Sequence, residues 1–112
     1  MGLFNKIKKS IKLKQNMPNL KSIEKTEKKI LNLKKQFELN PADSKILIEL
    51  YACYVTISDL ENKIKCLKKL SDISPNDFYP LQQLADIYLI ELDNADQAQI
   101  YQNKANNVKN NF

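Results

Sequence analysis

A chain of 112 residues with one glycine, four prolines and no histidine has room for a single modest core and few residues suited to the tight turns of a sheet. Its formal charge is +5, every basic residue is lysine, and no apolar run approaches the roughly 20 residues that span a bilayer. Without histidine, arginine, a glycine-rich loop or a serine in a Gly-x-Ser-x-Gly setting, the commonest general base and phosphate cradles are missing. No catalytic residue, metal site or cofactor is therefore expected.

The charge is unevenly spread. Residues 1 to 40 hold eleven lysines against three glutamates, a net +8, whereas the rest holds seven lysines against ten acids, a net −3. Such asymmetry marks a basic arm on a slightly acidic body. In the opening segment, Leu3, Phe4, Ile7 and Ile11 recur at helical spacing, with Lys6, Lys8, Lys9, Lys12 and Lys14 between them. The pattern predicts a short basic amphipathic helix. Three uses fit it: packing of the apolar side onto the body, anchorage on an anionic membrane surface, and contact with nucleic acid. The last lacks the arginines and aromatic platform that strengthen such contacts. Gly2 is followed by Lys6 where an N-myristoylation signal wants Ser or Thr. The first sixteen residues lack the apolar run of a secretory signal, so a cytoplasmic chain, peripheral to a membrane if the arm engages one, is expected.

Asn16-Met17-Pro18-Asn19 interrupts the helical pattern and makes 1–19 an arm and linker. From Leu20 to Leu39, Ile23, Ile30, Leu33 and Phe37 form a stripe that Asn40-Pro41 closes. Asp43 or Ser44 can cap the next helix, which carries Ile46, Leu47, Leu50, Tyr51, Tyr54 and Val55. Ser58-Asp59 turns the chain before a helix over Leu60 to Ile73, and so short a connection makes the pair antiparallel. Ser74-Pro75-Asn76-Asp77 ends that hairpin and offers Asn76 or Asp77 as a cap, with Pro80 in a first helical turn. A helix to about Leu92, a turn at Asp93-Asn94 and a last helix from Ala95 to about Val108 complete the body at 20–108. Residues 109–112 read as a polar tail. Cys53 and Cys66 fall in different helices without metal-ligand spacing and read as reduced core residues.

The prolines of Asn40-Pro41-Ala42-Asp43 and Ser74-Pro75-Asn76-Asp77 lie 34 residues apart. Between them run Leu47-x-x-Leu50-Tyr51-x-x-Tyr54, Ser58-Asp59-Leu60-Glu61 and Ile64-x-x-Leu67-x-x-Leu70. This text resembles the tetratricopeptide repeat, with Tyr51 where that family has a small glycine, Ser-Asp for its Gly-Asp turn, and Lys63 and Leu70 for its two small residues. The next unit, Leu81-x-x-Leu84-Ala85-x-x-Tyr88, is similar, and after a turn one residue longer Ala98 and Ala105 recover the small-residue spacing. The resemblance covers roughly three quarters of the chain. It implies an all-α fold of antiparallel hairpins stacked as a short α-solenoid of about two and a half repeats: a half unit at 20–41, then 44–77, then 78 to about 108.

The resemblance also implies a function, an adaptor or scaffold that holds a protein segment in the concave groove formed by the first helices of its units. By register that groove presents Lys45, Ile48, Glu49, Ala52, Val55 and Thr56 from one unit. The other contributes Tyr79, Gln82, Gln83, Asp86, Leu89 and Ile90. Family members that bind chaperone C-termini clamp a carboxylate there with basic and amide side chains. Ile48, Ala52 and Asp86 replace that set, so a mixed apolar and polar ligand is implied instead. Self-association or a permanent place in a larger complex would cover the open ends of so short a stack. The alternative function is a membrane or polyanion tether acting through the arm.

Overall fold

The computed structural model describes residues 20–111; the basic arm with its expected helix and the final Phe112 lie outside the described residues. Five helices follow in order: α1 (Leu20–Leu39), α2 (Ser44–Thr56), α3 (Leu60–Ile73), α4 (Tyr79–Asp86), which runs on into a π-helical turn (Ile87–Glu91), and α5 (Ala95–Asn111). Among the described residues there is no strand. Each helix packs chiefly on the one before it and the one after it in the chain. The helices share one continuous apolar core.

Local chemistry sets the boundaries. Asn40 N–H closes α1 on the carbonyls of Gln36 and Phe37, and Pro41 stops further winding. Asp43 caps α2, its carboxylate accepting from the Lys45 amide at 2.9 Å. At the far end Ser58 takes φ 58°, and the Asp59 amide reaches back to the Tyr54 carbonyl at 2.9 Å, which satisfies a terminal carbonyl of α2. Asp59 then caps α3, accepting from the Asn62 amide at 3.2 Å and its side-chain amide at 2.7 Å. Asp77 accepts from the Tyr79 amide at 3.0 Å, and Pro80 occupies the first turn of α4.

The second hairpin repeats this turn with one added residue. Asp93 has φ 51°, the Asn94 amide bonds the Tyr88 carbonyl at 2.7 Å, and Asn94 Oδ1 accepts from the Gln97 amide as Asp59 does from Asn62. Tyr54 and Tyr88 are 34 apart, but Ser58 and Asp93 are 35 apart. The extra residue therefore enters between Tyr88 and Asp93, where the Leu92 amide bonds the Ile87 carbonyl in an i→i−5 pattern. The sequence reading of an uninterrupted helix to Leu92 and a longer turn is corrected: the turns match, and the helix itself widens. The last helix likewise runs through Asn111 rather than stopping near Val108. Lys109 near its end lies 4.8 Å from the Phe78 ring centroid, holding the end of α5 against the start of α4.

One apolar cluster joins α1 through the π turn. Leu47, Leu67 and Leu84 are its most deeply buried members, flanked by Ile30, Leu33, Leu50, Tyr54, Leu70 and Ile87. Ala98 and Ala105 let α5 lie close, and Tyr88 stacks on Tyr101 with centroids 5.5 Å apart. Among the described residues the only buried side chains with a polar atom are Cys53, Tyr54 and Cys66, and none that is charged is buried. Replacing Leu84 by Ala should cost about 3 kcal/mol, read by urea unfolding.

Cys53 and Cys66 are free thiols buried in this cluster. Burial pushes the Cys66 thiol up to about 11 from 9.0, opposed in part by Lys69 and Lys34. Burial likewise raises the Tyr51 and Tyr54 phenols. Below pH 9 the Cys66 thiol is protonated in both folded and unfolded chains and adds no pH dependence. Between pH 9 and 11 the unfolded chain loses this proton first, so stability should fall with rising pH across that window. Thermal melts of the chain and of Cys66→Ala check this: the variant should lose less stability from pH 8.5 to 10.5, with the two tyrosines supplying the remainder.

Candidate functional site

The feature best suited to hold a ligand is an apolar recess of about 400 Å³ where α2, α3 and the start of α4 meet. Its walls arise from simple periodicity. Ile48, Ala52 and Val55 stand at i, i+4 and i+7 on the side of α2 opposite its buried stripe. Leu70 of α3 lines it, and Tyr79 with Pro80 closes the α4 side because the Asp77 cap fixes where that helix begins. Val55 is 47% exposed, Tyr79 52% and Ile48 54%, so a sizeable apolar surface faces solvent. Asp77 stands at the edge of this recess.

The twelve residues placed in a groove by register separate into groups. Ile48, Ala52, Val55 and Tyr79 come together in the recess. Lys45 and Glu49 stay exposed on α2 beside it, and Thr56 turns its hydroxyl back to the Ala52 carbonyl at 3.0 Å. Gln82 instead faces α5, where its amide and that of Gln102 exchange two hydrogen bonds of 2.8 and 2.9 Å. Asp86 accepts from Gln82 at 3.2 Å and joins the same polar patch, while Gln83 is half-buried. Leu89 and Ile90 are exposed on the π turn and do not line the recess.

Register alone missed Tyr51, Leu70, Asp77 and Pro80. For Tyr51 the signal was its bulk at a position where the resembled repeat has a small residue; a large ring there has to fill space between helices. Tyr51 is half-buried and its phenol is raised first by burial, then by the nearby Tyr79 and Glu91. A wider furrow of about 640 Å³ on α3, α4 and α5 has Lys68, Asp72, Lys104 and Asn107 in its lining. Its mixed charges and amides suit water better than an apolar ligand. Among the described residues no group of His, Cys, Asp and Glu side chains could hold a metal, and no helix is long and apolar enough to cross a membrane.

A salt bridge ties the first hairpin to the widened turn. Lys63 stands where the second unit has the buried Ala98, and its amine donates to both Glu91 carboxylate oxygens at 3.2 Å. Its side chain is 13% exposed and that of Glu91 37%. The lysine stem thus covers apolar surface while the amine reaches a carboxylate that the inserted residue moves along the chain. A double-mutant cycle of Lys63→Met and Glu91→Gln should give a coupling of about 1 kcal/mol by urea unfolding. No protein-family model matches the chain, and a search of curated proteins finds no match.

Proposed function

We propose that the chain is a non-enzymatic interaction module, an adaptor or scaffold of the cytoplasm, that seats a segment of a partner protein in the recess between α2 and α4. The observation that carries this reading is the cluster of Ile48, Ala52, Val55 and Tyr79 beside the half-buried Tyr51, an exposed apolar surface that the core does not use. In this reading α1 is half a unit and the hairpins α2–α3 and α4–α5 are two tetratricopeptide-like repeats stacked as a short solenoid. The helix order, packing between chain neighbours and matched αL turns at Ser58 and Asp93 support it. A segment laying an apolar stripe into the recess with a few polar contacts at the rim is the fitting ligand.

The recess predicts which substitutions matter. Tyr79→Ala removes a wall of the recess and should weaken partner binding about thirtyfold, the effect of losing a contact of about 2 kcal/mol. Val55→Ala should act in the same direction. Leu89→Ala, on the π turn, should have a smaller effect than either. Capture of partners by the tagged full chain, with circular dichroism to confirm retained helix, reads this order. Equal capture by all variants would remove the recess as the binding site.

A further inference from the structure

We propose that the occupant of the recess, in the absence of a partner, is the chain's own basic segment, residues 3–14. This rests on the recess being a docking surface and goes beyond it by naming what fills it. Charge is the first argument. On α2 and at the start of α4 the recess has Glu49 beside it and Asp77 in its lining, against Lys45 alone, and neither carboxylate is in a salt bridge among the described residues. The segment brings Lys6, Lys8, Lys9, Lys12 and Lys14, and residues 1–19 contain no acid. Apolar content matches as well, with Leu3, Phe4, Ile7 and Ile11 recurring on the one stripe that such a recess accepts.

Chain length is the second argument. The short connection at 40–43 makes α1 antiparallel to α2, so Leu20 lies at the Val55 end of α2. α1 has 20 residues and α2 has 13, so α1 extends about 10 Å past that end. Residues 15–19 span up to about 17 Å when extended, against about 14 Å for that overhang combined with a helix spacing of about 10 Å, so the segment's end reaches α2 near Val55. A tether this short holds the segment near the recess at an effective concentration in the millimolar range, so a weak intrinsic affinity suffices. A partner then binds by displacing the segment, which makes the arm an internal competitor.

Zero-length carbodiimide cross-linking of the full chain, followed by mass spectrometry, tests this through lysine–carboxylate links. Links from Lys6, Lys8, Lys9, Lys12 and Lys14 should fall on Glu49 and Asp77 several-fold more than on the exposed Glu61, Asp72 and Asp96. They should arise within one chain when ¹⁴N and ¹⁵N protein are mixed. Ile7→Glu in the arm should disperse them without altering the melting temperature of the body by more than a degree or two. Links spread evenly over all five acids would overturn the proposal. So would links found between isotopically different chains, which would assign the recess to a second copy. Vesicles of phosphatidylserine that bind the full chain, with no arm links to Glu49 or Asp77 before they are added, would overturn it in favour of a membrane surface. Should the links scatter while Tyr79→Ala still abolishes partner capture, the recess remains a docking site and only its internal occupant is lost.

Discussion

The middle helices, α2 to α4, cannot bury their apolar stripes against a single neighbour, and that insufficiency organises the molecule. α2 carries five buried residues in thirteen, and no single partner helix covers them all, because α1 contributes only Ile30 and Leu33 as fully buried residues. The seam through Leu47, Leu67 and Leu84 is shared among three successive helices. What the surface presents follows from which residues this seam leaves over.

The two hairpins leave different things over. Shifting the recess residues by the 34-residue period carries Ile48 to Gln82 and Ala52 to Asp86. Where the first unit presents apolar surface to the helix that follows, the second presents amides and a carboxylate, and Gln102 and Asn106 of α5 extend them. α5 is rich in asparagine. Its exposed amides pair along the helix, as Gln99 does with Asn103, and keep the last helix wound through Asn111.

Much of this was legible in the sequence. The helix starts at Asp43, Asp59 and Asn94, the stop at Asn40-Pro41, the 34-residue recurrence and the leucines of the core all follow from capping, proline chemistry and helical spacing. What stayed hidden had a common physical cause: register fixes an angle around a helix only while the helix is regular. Sequence could count one extra residue between Tyr88 and Asp93, yet it could not say whether a turn or a helix would absorb it. The backbone favours the helix, since the αL turn with its cap is a tightly bonded unit that tolerates no insertion, whereas one i→i−5 turn costs little. Gln82 and Asp86 were displaced from the expected groove for another reason, because amide partners on α5 were within reach and satisfied them there.

The insertion and the salt bridge are linked through Lys63. A small residue at that position would let α3 approach its neighbours as Ala98 lets α5 approach, but a lysine stem needs a route out of the packed region. The π turn provides the end of that route, since the inserted residue moves Glu91 by about 100° around the helix relative to regular winding, toward the amine it accepts from. Tyr51 adds a third departure nearby, and Glu91 is among the charges that raise its phenol. Three residues that look like independent departures from a regular repeat, Tyr51, Lys63 and the extra residue before Asp93, thus meet where the first hairpin packs against the second. Tyr51 lies on both sides of this arrangement: its ring lines the recess and its phenol feels Glu91. The shape of the recess is thereby tied to how the second hairpin is wound, so any substitution that restores regular winding at Ile87–Glu91 would reshape the recess without touching its lining.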